Sequence, residues 1–199
     1  MAEPQLKPRL LLCGPIGCGK STMIANALGP QVLQAGGYVT LRVIRNGELE
    51  GFDLAPAAAL LDPLARTRSG RFLDFRQGLR RDQTVFLSLG TRLLQEAPRH
   101  PFALLDEFGG MELLVPDFRQ ALTGLLVSDL PCIGVIKTPE ASRELAQRTG
   151  LGRDYEQAYG DLFAQLSQDP GTGILYTTGR YDDRARETVQ RWVSYYVRK

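Results

Sequence analysis

Cysteine and histidine are scarce in this sequence, and both shortages narrow the chemistry that it can support. The three cysteines, Cys13, Cys18 and Cys132, form no CxxC pair and are odd in number, which argues against a metal cluster and a disulfide framework. This cysteine usage is typical of a reducing compartment, so we expect a cytoplasmic protein. The single histidine, His100, precedes Pro101 and is interpreted as a surface turn residue rather than a ligand.

The sequence also lacks long apolar runs and a large net charge of either sign. The apolar run nearest the N-terminus spans only residues 10–13, which is too short for a signal peptide or a membrane span. Because 24 Lys and Arg residues face 22 Asp and Glu, the net charge of +2 gives no indication of a nucleic-acid or membrane partner. The basic cluster of Arg76, Arg80 and Arg81 is short and predicts a solvated face. No sequence feature identifies a protein partner.

The sequence does have the composition and the periodicity of one folded domain, which we expect to span residues 1–199. Short apolar runs typical of buried parallel strands lie at residues 9–13, 101–105, 132–136 and 173–177. Segments with helical periodicity lie at residues 20–28, 82–97, 118–126, 140–148, 153–168 and 182–197. This alternation predicts an α/β fold with a doubly wound, mainly parallel sheet flanked by helices.

An insertion interrupts the alternation after the first helix. Asn46-Gly47 separates two β-rich runs at residues 38–44 and 48–54, and an Asn-Gly pair between such runs is a strong hairpin signal. A further short strand is predicted at residues 71–75. We therefore expect an inserted β-hairpin beside the parallel sheet.

The segment at residues 14–21 has the P-loop pattern GxxxxGKS. Phosphate oxygens must be met by successive backbone N–H groups, which requires glycine at the positions of closest approach. Lys20 would reach the β- and γ-phosphates, and the Ser21 hydroxyl would bind Mg²⁺. The predicted nucleotide-binding residues are Gly14, Pro15, Ile16, Gly17, Cys18, Gly19, Lys20, Ser21 and Thr22.

Two adjacent carboxylates follow the apolar run that ends at residue 105. Ligands bind at the carboxyl ends of strands in open α/β sheets, so Asp106 and Glu107 form a Walker B pair. Asp106 would hold Mg²⁺ with Ser21, and Glu107 would act as the general base or orienting group for water. Because water activation needs this second carboxylate, the pair favours hydrolysis over transfer to another substrate. Lys20 and Glu107 are the predicted catalytic residues.

Other polar residues have open roles at this stage. Lys137 follows a strand in the manner of a γ-phosphate sensor, and Glu112 is either a supporting residue or a helix N-terminal acid. Cys18 is either a redox-sensitive thiol or a spectator that contributes only its N–H. The arginines in segments that could border the site are Arg42, Arg45, Arg66, Arg71 and Arg180.

Three segments together resemble the small nucleoside-triphosphatase family known from thermophiles and from a cancer-related human member (NTPase_1). They are GPIGCGKST at residues 14–22, GGYVTLRVIRNGELEGFDL at residues 36–54 and LLDEFGGMEL at residues 104–113. The resemblance extends from residue 9 to about residue 136 and implies a RecA-like or kinase-like P-loop fold with slow, base-tolerant hydrolysis. The chain departs from the family at Gly110, where a lysine is typical, and in residues 153–170, which look longer than the usual ending.

The expected activity is Mg²⁺-dependent hydrolysis of a nucleoside triphosphate, such as ATP or GTP, to the diphosphate and phosphate. Two alternatives stay open. The chain could be a kinase for a nucleotide or small metabolite, with the hairpin and residues 55–81 as an acceptor lid. It could also be a nucleotide switch that hydrolyses only with a partner.

Overall fold

The computed structural model describes residues 6–179 and 181–198, and the described residues contain one eight-stranded sheet. The strands are β1 (Arg9–Cys13), β2 (Gly36–Arg45), β3 (Glu48–Pro56), β4 (Gly70–Asp74), β5 (Arg80–Arg81), β6 (Ala103–Phe108), β7 (Cys132–Ile136) and β8 (Thr172–Tyr176). Their order in the sheet is β5-β4-β3-β2-β6-β7-β1-β8. The sheet therefore places the first strand between two strands from the second half of the chain.

Seven α-helices connect or flank these strands in the described residues. They are α1 (Lys20–Leu28), α2 (Pro63–Arg66), α3 (Thr91–Glu96), α4 (Pro116–Leu126), α5 (Pro139–Thr149), α6 (Arg153–Gln168) and α7 (Asp183–Tyr196). Short 3₁₀ turns lie at Gly29–Gln34, Ala57–Leu60, Ala97–Arg99 and Met111–Leu114. None of the helices in the described part of the chain is long and apolar enough to cross a membrane.

The central strands are parallel and buried on both faces, as the short apolar runs predict. In β1, Leu11 packs into the hydrophobic layer under α4 and α6, whereas Leu10 and Leu12 pack into the opposite layer with Trp192 of α7. The backbone of β1 pairs in parallel with both β7 and β8. The doubly wound, mainly parallel α/β sheet is thereby confirmed.

The inserted hairpin is β2 and β3, which pair antiparallel through the Asn46-Gly47 turn. Both turn residues have positive φ, 52° for Asn46 and 83° for Gly47, which is the geometry that an Asn-Gly hairpin requires. β4 continues the antiparallel edge and confirms the short strand predicted there. The hairpin is longer than predicted because β2 extends back to Gly36, where it pairs with β6 and joins the parallel sheet.

Two predicted elements differ from the structure. The helix predicted at residues 82–97 is a π-helical turn (Phe86–Gly90) that leads into α3 and a 3₁₀ turn. The Thr91 hydroxyl donates to the carbonyl oxygen of Phe86, and a Cβ at Gly90 would lie 2.8 Å from the Phe118 ring, so tight packing accompanies the wider turn. The strand predicted at residues 101–105 is β6, which runs through Asp106 and Glu107 to Phe108.

Helix α7 fastens the segment that precedes β1. The indole Nε1 of Trp192 donates to the carbonyl oxygens of Lys7 and Pro8, at 3.2 and 3.3 Å, and the Tyr196 hydroxyl donates to that of Leu6 at 2.6 Å. Trp192 itself is fully buried. The entry to the phosphate-loop strand is thus held by side chains from nearly 190 residues later in the sequence.

Candidate functional site

The loop between β1 and α1 has the backbone that its glycines predict. Gly14, Gly17 and Gly19 all have positive φ, and a Cβ at Gly14 would lie 2.1 Å from the carbonyl oxygen of Thr177. Only glycine fits such a position without moving the backbone of the neighbouring strand end. The loop is therefore locked between its own turn and the residues that follow β8.

The loop delivers the N-terminus of α1 to the cavity. Gly19 precedes the first helical residue and has no side chain to cap the helix, so the first amides of α1 face the loop. The Nζ atom of Lys20 lies 2.9 Å from the Gly14 oxygen and 2.6 Å from the Pro15 oxygen. A cation and a helix N-terminus therefore meet at one point, which is an arrangement suited to anions.

Asp106 joins the loop to the end of β6. Its Oδ1 accepts a 2.5 Å hydrogen bond from the Ser21 hydroxyl, and its Oδ2 accepts from the backbone N–H of Thr40 at 3.3 Å. Burial raises the pKa of Asp106 to about 6, although the hydrogen bond from Ser21 opposes that shift. A cation beside this carboxylate would favour its charged form.

Glu107 stands next to Asp106 but points to a different partner. Its backbone φ is 60°, an uncommon value for a residue other than glycine, and its carboxylate accepts a 2.7 Å hydrogen bond from Nζ of Lys137. Burial tends to raise the pKa of Glu107, but the charge and hydrogen bond of Lys137 outweigh burial and lower it. Glu107 is therefore a carboxylate at neutral pH, half exposed to the cavity.

The turn after β6 is organised by Glu112 and α6. The Oε1 atom of Glu112 accepts hydrogen bonds of 2.7 Å from the N–H groups of both Gly109 and Gly110, so this buried carboxylate closes the turn. The Tyr155 hydroxyl donates to the Gly109 oxygen at 2.9 Å, and the Tyr159 hydroxyl donates to the Lys137 oxygen at 2.7 Å. Two α6 tyrosines thus hold the backbone around Glu107 and Lys137.

These groups face a cavity of about 380 Å³, here called the phosphate cavity. Of the predicted binding and catalytic residues, those that line it are Gly14, Ile16, Gly17, Gly19, Lys20, Ser21, Thr22, Asp106 and Glu107. Pro15 and Cys18 belong to the loop without lining the cavity, and the Cys18 thiol lies 3.7 Å from Nζ of Lys20. Lys137 also lines the cavity, where its ammonium pairs with Glu107.

The candidate arginines differ in whether they reach the phosphate cavity. Arg42 lines the phosphate cavity, whereas Arg45 pairs with Glu50 at 3.8 Å and Arg71 pairs with Asp53. Arg66 lies exposed in the last turn of α2, outside the cavity lining, and Arg180 lies outside the described residues. Arg42 is therefore the one of these five that the described structure brings to the site.

The basic cluster and the lone histidine have the surface positions predicted for them. Arg76, Arg80 and Arg81 are exposed, with Arg76 paired to Asp74 at 2.5 Å. His100 is exposed as well, and its Nδ1 lies 3.1 Å from the Gln34 carbonyl oxygen. All three cysteines are free thiols.

Sequence reasoning missed several residues of the site. Thr40 and Phe52 of the hairpin line the phosphate cavity, and Tyr155 and Tyr159 hold its far wall. Thr40 and Phe52 belong to the hairpin, and Tyr155 and Tyr159 belong to α6, but no local sequence motif marks either pair. The position of Gly110 adds a detail: a Cβ there would lie 3.3 Å from Cε of Lys137, so a lysine side chain does stand beside the position where the family typically has one.

Comparisons with known proteins relate the chain to a family of nucleoside triphosphatases. A model of the NTPase family (NTPase_1) matches residues 9–156. The chain is 31% identical to the "Cancer-related nucleoside-triphosphatase homolog" of Mus musculus over 66% of this chain and 76% of that protein. It is 30% identical to "Nucleoside-triphosphatase THEP1" of Methanosarcina barkeri over 74% of this chain and 85% of that protein.

A solved structure extends the likeness to nearly the whole fold. The crystal structure of THEP1 from Aquifex aeolicus superposes with a TM-score of 0.62, over 91% of this chain and 96% of that one. The two sequences are 16% identical, so this comparison concerns the fold alone.

Proposed function

The chain belongs to the NTPase_1 family of nucleoside triphosphatases, and on that premise we propose that it hydrolyses nucleoside triphosphates to diphosphate and phosphate with Mg²⁺ and little discrimination of the base. One observation carries the proposal. The Ser21–Asp106 pair and the Glu107–Lys137 pair face the same cavity as the phosphate loop. Anion binding, cation binding and water activation therefore have their groups in one place.

The residues present suit Mg²⁺. This ion prefers oxygen ligands and usually keeps waters and substrate phosphates alongside one or two protein groups. Ser21 and Asp106 would hold it, because the Ser21 hydroxyl can donate to Asp106 and still offer a lone pair. Bound there, the ion would neutralise charge on the β- and γ-phosphates.

The protein groups have separate tasks in the proposed reaction. The loop amides and Lys20 would bind the β- and γ-phosphates, while Glu107 would accept a hydrogen bond from the attacking water and direct its oxygen at the γ-phosphorus. Because Lys137 lowers the pKa of Glu107, this carboxylate orients water better than it removes a full proton. Lys137 and Arg42 place positive charge where the γ-phosphoryl group gains negative charge.

The assigned contacts bear on base tolerance, and the free thiols bear on the compartment. Every contact assigned above addresses the triphosphate, which all nucleoside triphosphates share, so the site supports hydrolysis of several of them. Three free thiols suit a reducing cytoplasm, where we place the activity.

The test is phosphate release from ATP, GTP, CTP and UTP with Mg²⁺, measured for the wild type and Glu107→Gln in parallel. We expect slow release from several triphosphates and a loss of about 10²- to 10⁴-fold in kcat for the variant, with nucleotide binding retained. Normal turnover by Glu107→Gln would remove this residue from its role. Tight binding without release by the wild type would instead favour the partner-dependent switch.

A further inference from the structure

A second cavity, here called the acceptor cavity, lies beyond Glu107 and has a volume of about 270 Å³. It is predominantly apolar, and its aromatic lining residues are Tyr38, Phe52, Phe72, Phe75 and Phe86. Phe52 packs against both Phe72 and Phe75, with ring centroids 6.4 and 6.1 Å apart. These side chains come from β2, β3, the β4 segment and the π-helical turn, so the cavity is a product of the inserted hairpin region.

The acceptor cavity meets the phosphate cavity at the catalytic pair. Thr40, Phe52, Glu107 and Lys137 line both cavities. In the proposed site, the loop would place the γ-phosphate at the Lys20, Ser21 and Glu107 end of the phosphate cavity, and the nucleoside would extend away from that end. A molecule in the acceptor cavity would therefore approach the γ-phosphorus from the side that water would otherwise occupy.

Tyr38 contributes a hydroxyl group to the otherwise mainly apolar acceptor cavity. Its side chain is 1% exposed and lines the acceptor cavity, yet its hydroxyl has no hydrogen-bond partner among the described residues. A buried hydroxyl without a partner costs free energy, so such groups usually serve a ligand or a bound water. The nearby Glu112 carboxylate also lines the cavity. An occupant with a polar substituent would have hydrogen-bond partners in this lining.

The size and entrance of the cavity define what fits. An apolar cavity of about 150 Å³ holds benzene, so about 270 Å³ holds a body of one or two rings. Phe75 and Leu79 line it and are partly exposed, at 37% and 51%, and Arg81 stands beside them with its guanidinium donating to the Thr149 oxygen. The turn between β4 and β5 is thus an apolar entrance from solvent that is separate from the phosphate loop.

We propose that the acceptor cavity binds a small aromatic alcohol of one or two rings, whose hydroxyl takes the γ-phosphoryl group in place of water. This inference rests on the proposed nucleotide site but not on hydrolysis being the physiological reaction. The alcohol oxygen forms a bond to the γ-phosphorus while the bond between that phosphorus and the bridging oxygen of the diphosphate breaks. The Glu107 carboxylate accepts a hydrogen bond from the alcohol and orients it, the hydroxyl proton is released to solvent water as the new bond forms, and the products are the nucleoside diphosphate and a phosphate monoester.

The test measures how the γ-phosphoryl group is partitioned. Wild-type protein with Mg²⁺ and ATP is incubated alone and with benzyl alcohol, 4-hydroxybenzyl alcohol or indole-3-ethanol up to their solubility limits. ADP and phosphate are quantified, and esters are identified by ³¹P NMR. We expect ADP to exceed phosphate by the amount of ester formed with at least one alcohol. Equal ADP and phosphate with all three alcohols would overturn the inference, whereas absent ADP formation without alcohol would contradict the proposed hydrolysis.

Two matched substitutions locate the effect. Leu79→Trp enlarges a partly exposed side chain at the entrance, and Leu64→Trp makes the same change at an exposed position on α2 outside the cavity. We expect Leu79→Trp to lower ester formation about tenfold or more while hydrolysis without alcohol stays at the wild-type rate. Leu64→Trp should change neither quantity. Ester formation that is unaffected by Leu79→Trp would show that the alcohol does not enter through this cavity.

Discussion

The phosphate cavity has two walls that are built differently. The loop wall consists of consecutive residues 14–22, acts mainly through backbone N–H groups and follows from one glycine pattern. The strand wall consists of Thr40 within β2, Glu107 near the end of β6 and Lys137 just after β7, and it acts through side chains. Two α6 tyrosines hold the backbone that follows β6 and β7. In the proposed function the loop wall would bind phosphate mainly through its own backbone, whereas the strand wall depends on side chains from distant parts of the fold for its chemistry.

The largest expected effect comes from the loop wall. Lys20→Ala removes the cation that would neutralise the β- and γ-phosphates, so we expect kcat/KM to fall about 10²- to 10³-fold and nucleotide affinity to fall with it. Lys7→Ala is the matched control, because Lys7 lies before β1 and donates only to the Thr172 oxygen in the described contacts. Wild-type affinity in Lys20→Ala would contradict the role of the loop wall in binding.

In the strand wall, we expect an effect on catalysis rather than on binding. Lys137→Met removes a charge-assisted hydrogen bond to Glu107, which predicts a loss of about 10- to 100-fold in kcat with nearly unchanged nucleotide affinity. Because Lys137 lowers the pKa of Glu107, its removal should move the acidic limb of the pH–rate profile to higher pH. Arg143→Met, on the exposed face of α5, is the control. If the acidic limb stayed at its original pH, ionisation of Glu107 would not be what limits the rate at low pH.

The support of the strand wall by α6 predicts a smaller effect. Tyr155→Phe removes the hydrogen bond to the Gly109 oxygen and the one shared with the buried Ser142 hydroxyl, and we expect about 1–2 kcal/mol less stability and about a fivefold lower kcat at constant KM. Urea unfolding and steady-state kinetics measure both quantities. Ser167→Ala, on the exposed face of the same helix, should match the wild type in kcat. A stability loss without any change in kcat would limit α6 to a structural role.

The smallest effect is expected at the acceptor cavity, and it contrasts two buried tyrosines. Tyr38→Phe removes a hydroxyl that has no partner among the described residues, so stability should stay within about 0.5 kcal/mol of the wild type or rise. Urea unfolding beside Tyr155→Phe makes the comparison direct. A loss above about 1 kcal/mol would show that the Tyr38 hydroxyl is already satisfied in the folded protein.

The same contrast between the walls explains what the sequence could predict. The loop pattern, the Asn46-Gly47 turn and the Asp106-Glu107 pair are local signals, and the structure places each in the predicted element. The parallel α/β sheet could also be predicted, because each buried strand has its own local signal, a short apolar run. The predicted nucleotide and Mg²⁺ contacts themselves await the experiments above.

The remaining features depend on contacts between residues far apart in the chain. Tyr155 and Tyr159 serve the site only because α6 packs against the turn after β6 and the end of β7, and no spacing along α6 reveals that. The π-helical turn at Phe86–Gly90 depends likewise on the Phe118 ring that presses on Gly90. Residues 153–170 look like an extension in the sequence, and the structure places residues 153–168 in α6, whose Tyr155 and Tyr159 bond to the backbone beside the strand wall.

The placement of β1 has a consequence for synthesis on the ribosome. The phosphate-loop strand emerges early, but its neighbours β7 and β8 and the clamp from Trp192 emerge more than a hundred residues later. At roughly 5–20 residues per second, this interval is on the order of ten seconds or more. During that time the phosphate loop has neither of the strands beside it nor the Thr177 backbone that confines Gly14. At the proposed site, nucleotide would therefore stabilise a sheet that is nearly complete rather than template the early folding of this chain.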